Sequence, residues 1–193
     1  GREFVQRGLG ADFYGLSHGI KLSPDGQVVE FAYEALGESP AYFDVASRTL
    51  HDGSSSVALA AAQTARGIKL STKGGFPRTV FNGRELPLEA DEFDRGRAVA
   101  ADGSGFVVAT DFHLRFYDAQ GRETWRQRTP ATPRGGVNIS QDGRLVVAAY
   151  LDGTLRWYRR SDGQPLLAMW PHSDRKRWVL WSPSGFYDAA PGS

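Results

Sequence analysis

Four histidines, an acidic run and two groups of arginines are the residues of this chain whose side chains could do chemistry. His18, His51, His113 and His172 are scattered, with no ligand-like pairing, so turn or surface roles are expected of them. Glu89, Asp91, Glu92 and Asp94 could attract a hard cation through carboxylate oxygens. The run lacks the glycine turn and alternating ligands of a calcium loop, and Arg95 and Arg97 adjoin it. That favours a solvated loop between structural units. The absence of cysteine excludes disulfides, thiolate metal sites and a cysteine nucleophile. Phosphate loops, dinucleotide fingerprints, His-Glu-x-x-His and nucleophile elbows are also missing from the sequence. In the C-terminal part Glu123, Asp152 and Asp174 are the acids open to a catalytic reading, and their spacing is not diagnostic. No catalytic residue, metal or cofactor is therefore expected.

The basic groups are Arg156/Arg159/Arg160 and Arg175/Lys176/Arg177, with Trp157, Trp170, Trp178 and Trp181 nearby. Arginine beside aromatic rings can stack bases or grip phosphates, and it equally suits a protein-binding surface. Trp157 and Trp181 occupy inward strand positions, where large aromatics fill space between sheets. Trp170 and Trp178 instead flank the loop Pro171–Arg177. The candidate contact is thus Trp170, His172, Arg175, Lys176, Arg177 and Trp178. The net charge of +1 hides a split: residues 1–120 carry 12 basic and 16 acidic side chains, residues 121–193 carry 11 and 6. Such a split suits an acidic partner near the C-terminal part or association of the two halves, and ordinary surface variation produces it too.

The elements that must position these residues repeat along the chain. Each unit has a short apolar strand, a tight turn, a second apolar strand, another turn and an aromatic-containing strand. In the first unit Gly19–Ser23, the turn Pro24-Asp25-Gly26, Val28–Tyr33 and Tyr42–Val45 follow this plan. In the second it is Arg97–Ala100, Ala101-Asp102-Gly103, Phe106–Thr110 and Leu114–Asp118; in the third, Val137–Ser140, Gln141-Asp142-Gly143, Leu145–Tyr150 and Leu155–Tyr158. A fourth begins at Trp178–Trp181 and breaks off after Phe186-Tyr187. Asp-Gly gives the positive φ a tight hairpin needs. The middle strands are apolar on both faces, as in a sheet covered on each side. The strands after them alternate, Leu114 and Phe116 against Arg115 and Tyr117, which predicts half-burial. Outermost strands are expected at Glu123–Arg128 and Pro165–Trp170. Asn138-Ile139-Ser140 matches a glycosylation acceptor but lies in a predicted inner strand, so it is set aside.

Spacing then sets the architecture. Asp102 and Asp142 are 40 residues apart, Gly143 and Gly185 are 42 apart, and four-stranded propeller blades repeat at about 40–45. The 77 residues from Gly26 to Gly103 are read as one repeat with an insertion. The insertion would hold a polar loop at 52–56, a short helix within the Ala-rich run 57–66, and a hairpin over Ile68–Leu88 that extends the first blade's outer edge. The expectation is one all-β, WD40-like β-propeller domain, with units at about 16–90, 91–130, 131–172 and a truncated 173–193. Four units leave the ring incomplete, as in the C-terminal part of a larger propeller, so open edges invite self-association.

Two stretches carry a family resemblance: Arg144-Leu-Val-Val-Ala-Ala-Tyr-Leu-Asp-Gly-Thr-Leu-Arg-Trp-Tyr158 and Lys176-Arg-Trp-Val-Leu-Trp-Ser-Pro-Ser-Gly-Phe-Tyr-Asp-Ala-Ala-Pro-Gly192. Phe81–Leu88 and Leu114–Trp125 support them. From about Gly19 onward the chain resembles a bacterial WD40-repeat family, often fused to a caspase-like peptidase domain. The Gly-His start and Trp-Asp end of consensus repeats are missing, so the partners of better-studied WD40 proteins do not carry over.

The resemblance implies a non-catalytic scaffold for protein–protein interaction, with regulation of a linked caspase-like effector as its finer form. The alternative is a propeller that recognises carbohydrate or nucleic acid through Trp and Arg loops, with nucleic acid the less expected. Partners would be proteins or the remainder of the propeller. No apolar run reaches the ~18–20 residues of a membrane span. Compartment is left open, with the cytoplasm slightly favoured.

Overall fold

The computed structural model describes residues 19–34, 38–60, 64–65 and 67–192. In chain order the strands are Lys21–Leu22 (β1), Val28–Ala32 (β2), Pro40–Asp44 (β3), Thr49–Asp52 (β4), Leu59–Ala60 (β5), Thr64–Ala65 (β6), Ile68–Lys73 (β7), Arg78–Phe81 (β8), Arg84–Glu85 (β9) and Asp94–Val99 (β10). Gly105–Thr110 (β11), His113–Asp118 (β12), Glu123–Arg128 (β13), Pro133–Ile139 (β14), Leu145–Tyr150 (β15), Leu155–Arg159 (β16), Pro165–Pro171 (β17), Trp178–Trp181 (β18) and Tyr187–Ala189 (β19) follow. They form four antiparallel sheets, β4-β3-β2-β1-β5, β6-β7-β8-β9, β10-β11-β12-β13 and β14-β15-β16-β17-β18-β19.

The first and third of the turns that define the repeat share one chemistry, whereas the second has Ala100 at the serine position. Ser23 and Ser140 each donate their hydroxyl to the Asp two residues on, at 2.6 Å, and accept from the backbone of Val28 and Leu145. Gly26 and Gly143 take φ of 74° and 70°, a conformation open to glycine at little cost. The Ser23 hydroxyl and the Gln27 N–H hold the Asp25 carboxyl below the usual carboxylate range.

Middle strands β11 and β15 are buried on both faces, as their apolar runs predict. The strands expected to be outermost, β13 and β17, form at the expected residues; β13 is its sheet's edge, whereas β18 and β19 continue beyond β17. The cores show which sheets meet. Ile68, Leu70 and Leu86 pack on Val99, Phe106 and Val108; Ala98, Val107 and Leu114 pack on Val137, Val146 and Tyr150. Val147, Leu155 and Trp157 then pack on Leu22, Val29, Phe31 and Phe43. The stack therefore runs second, third, fourth, first: the N-terminal sheet lies on the last one. Trp157 donates its Nε1–H to Gly26 O at 3.0 Å across that joint, and Asn138 reaches Ile20 O at 3.3 Å. This is the blade-on-blade arrangement of a β-propeller. No core cluster among the described residues joins the first sheet to the second, so the sheets do not close into a ring.

Three expectations need correction. The hairpin after Ile68 does not extend the first sheet; with β6 it forms a sheet of its own, turned by Gly74-Gly75 and Asn82-Gly83 instead of Asp-Gly. The Ala-rich run places strands at 59–60 and 64–65 where a helix was expected, and residues 61–63 and 66 lie outside the described residues. The segment 173–193 starts no new blade: β18 pairs with β17 and β19 with β18, widening the last sheet to six strands. His18 lies outside the described residues.

Candidate functional site

The third sheet ends at its fourth strand, β13, whereas the fourth sheet adds β18 and β19 beyond its own fourth strand, β17. On the side facing the third sheet, β18 and β19 therefore form a ledge to which no strand of the third sheet corresponds among the described residues. Arg156, Ala168 and Trp181 lie abreast in the β16–β17–β18 register and floor a cleft of about 450 Å³. Gln127, Arg128, Thr129 and Pro130 make its wall, with Tyr158, Pro165, Leu167 and Pro183 around the rest.

Arg156 is fixed in this floor. Its Nε donates to Thr154 Oγ1 at 2.9 Å and Nη2 to Asp152 at 3.1 Å. Its guanidinium lies 5.7 Å from the Tyr150 ring centroid and 5.8 Å from that of Trp181, within cation–π range. Below it the hydroxyls of Tyr150 and Tyr158 meet at 2.7 Å. Burial raises the Tyr150 phenol well above its ordinary pKa, so the pair is neutral. Thr129 Oγ1 is buried and has no hydrogen-bond partner, a polar group a ligand could satisfy. Trp181 was expected in the core; it is half-buried at the cleft, while Trp157, with the same expectation, is buried.

The other end of β13 is closed. Trp125 donates Nε1–H to Arg160 O at 2.6 Å, and Arg160 lies 5.5 Å over Phe116 while donating to Ser104 Oγ at 2.6 Å. Of the Arg156/Arg159/Arg160 group, Arg160 thus serves the joint between sheets, while Arg159 pairs with Asp162 of its own turn at 2.8 Å.

The predicted contact loop is mostly self-occupied. Trp178 is buried, 5.0 Å from the Phe43 ring in an edge-on contact, so it packs the core instead of offering an exposed face. Arg175 pairs with Asp52, donates to Pro40 O at 3.1 Å and covers the Tyr33 ring. Arg177 donates to Asp174 at 2.5 Å, and Trp170 meets the His172 ring edge-on at 5.5 Å. The Arg177 N–H and side chain and the Lys176 N–H hold the Asp174 carboxyl well below its usual range. Lys176 alone of the six is exposed.

The acidic run is not the solvated loop its composition suggests. Glu89 and Asp91 are exposed, but Glu92 is completely buried and Asp94 nearly so. Glu92 accepts from Thr110 Oγ1 at 2.7 Å, meets His113 Nδ1 at 2.5 Å and pairs with Arg115. Burial alone would raise its pKa; the His113, Thr110 and Arg115 hydrogen bonds outweigh that and hold it at about 2. Arg115 also pairs with Glu123 at 2.6 Å and Glu89 at 3.3 Å, and is itself buried, although strand alternation placed it on an open face. Glu89, Glu92 and His113 are spaced as metal ligands could be. The guanidinium already supplies the cation those carboxylates face, which makes this a structural ion network. The potentially catalytic acids are similarly engaged: Glu123 by Arg115 and Arg126, Asp152 by Thr154 and Arg156, Asp174 by its own loop.

No family model matches the chain, and no curated protein does. Solved structures similar to it include the β-propeller domain of Myceliophteria thermophila Cps50 (Swd1), at 9% identity and TM-score 0.43, covering 92% of this chain and 86% of that one. The propeller-type class is defined by the sheet order and stacking described above. Neither the bacterial WD40-repeat family nor a caspase-like fusion gains support from these comparisons.

Proposed function

We propose that this chain is a non-catalytic binding scaffold that recognises a protein partner through the cleft between β13 and the ledge of the last sheet. The observation that carries the reading is the cleft's composition: a fixed arginine within cation–π range of two rings, prolines and a leucine beside the Gln127–Pro130 wall, and a buried hydroxyl without a partner. Such sites are mostly apolar with a few placed polar groups, and Trp, Tyr and Arg are the side chains on which binding energy concentrates. Regulation of a linked caspase-like effector is the finer form of this proposal and rests on sequence resemblance.

Affinity isolation from the source organism's extract tests the reading with two variants beside the wild type. Trp181→Ala should lose the co-isolated protein, and Lys176→Glu, in the loop Pro171–Arg177, should keep it. The reverse pattern would move the site to that loop. The Arg156–Trp181 stack favours a second reading, recognition of a sugar or nucleic acid. It predicts tryptophan quenching by glycans, or retention on an anionic matrix that weakens steeply with salt; neither signal would remove it.

A further inference from the structure

The cleft exists because one sheet is four strands wide and its neighbour six. Stacked sheets lie about 10 Å apart and strands about 4.8 Å apart, so the volume over β18, one strand spacing beyond β13, is the place of a fifth strand of the third sheet. β13 offers that strand an edge. Its pairing with β12 runs His113 with Arg128, Leu114 with Gln127 and Arg115 with Arg126, and Thr129 N–H donates to Phe112 O at 2.8 Å. Antiparallel pairs alternate between hydrogen-bonded and non-bonded. Gln127 and Trp125 therefore bond inward, and the N–H and C=O groups of Arg126 and Arg128 point away from β12.

We propose that the cleft receives an extended acidic segment of a partner protein, which adds to β13 as a fifth strand. This rests on the cleft being a protein-recognition site, and it specifies how recognition occurs. Side chains along the added strand alternate between faces. Those on one face fall over Ala168 and Trp181 beside Gln127 and Thr129, where apolar residues fit. Those on the other face meet the side of β13 that carries Arg126 and Arg128. Arg126 is bonded to Glu89 at 2.7 Å and to Glu123 at 3.1 Å, whereas Arg128 is exposed and has no ion pair among the described residues. A carboxylate on the added strand complements Arg128. A second copy does not: antiparallel β13–β13 pairing centred on Arg126 would set arginine opposite arginine, which is unfavourable.

The probe is a blocked hexapeptide of alternating valine and glutamate, with a twin N-methylated at alternate amides, which keeps the charge and loses the pairing edge. The wild type should bind the first at least tenfold tighter than the second, and the Arg126 and Arg128 amides should gain protection from hydrogen exchange. Arg128→Pro removes an outward N–H and no inward one, so it should fold and lose the peptide; Arg128→Ala should weaken binding only severalfold. No binding of the plain peptide, equal binding of both peptides, or wild-type affinity in Arg128→Pro would each overturn strand addition. If Trp181→Ala still abolishes binding while Arg128→Pro does not, the cleft stands as the site and only the mode is wrong.

Discussion

Glu92 and Arg115 are the residues whose environment departs furthest from their type. Charged side chains are rarely fully buried unless paired, and each answers the other here with Glu123, His113 and Thr110 closing the shell. Removing one partner leaves an uncompensated buried charge, which costs about 3–5 kcal/mol. Arg115→Met should therefore lower unfolding stability by roughly that amount in urea titration. Glu92 also sets an acid limb. Its folded pKa of about 2 lies below the ordinary 4.5, so its stabilisation is complete above pH 4.5 and is lost as pH falls toward 2. Asp94 acts in the opposite sense: burial raises its pKa despite Arg97 and Thr79, so its share is lost as pH rises. Glu92→Gln should flatten the stability curve between pH 4.5 and 2; a curve parallel to the wild type would contradict the account. Composition alone could not reveal this network. The acids of 89–94 read as solvent-facing, and Arg115 sits on what alternation marks as an open face; only the covering of that face by a second sheet buries them.

Among the elements, those with Asp-Gly turns and apolar middle strands were legible, down to β13 and β17. The others were hidden for specific reasons. β5, β6 and β9 have two residues each, too few to show a period, so the sheet β6–β9 read as an insertion. β18 has the residues of a blade's first strand, and its partner is decided by the return loop before it. There His172 N–H bonds Arg177 O at 2.9 Å and Arg175 adopts φ 63°, folding β18 back onto β17. That hairpin is pinned from below by Trp178, Leu180 and Ala190 in the core with Phe43. Trp178→Ala should cost about 3–5 kcal/mol and, by loosening β18, expose Trp181; a red shift of its emission before global unfolding checks this. A variant with wild-type stability would show that the ledge is not held this way.

At the scale of the molecule, the feature the sequence did not disclose is the order of the sheets. Repeats suggest neighbours in chain order, yet the first sheet packs on the last, and this joint supports the ledge that makes the cleft. The outer face at the other end of the stack is polar on β7, where Lys69, Ser71 and Lys73 are exposed while Ile68 and Leu70 turn inward. Face-to-face self-association, expected from uncovered apolar sheets, therefore has no apolar surface on that strand. The joint itself can be tested cleanly because the chain has no cysteine. Arg48, in the turn between β3 and β4, and Asp188 of β19 are solvent-accessible and meet at 2.8 Å across the same two sheets. In Arg48→Cys/Asp188→Cys, a short bis-maleimide should consume both thiols within one chain and leave a monomer of increased mobility on a denaturing gel. Two free thiols, or bridges only between chains, would contradict the stacking of the first sheet on the last and the cleft that depends on it.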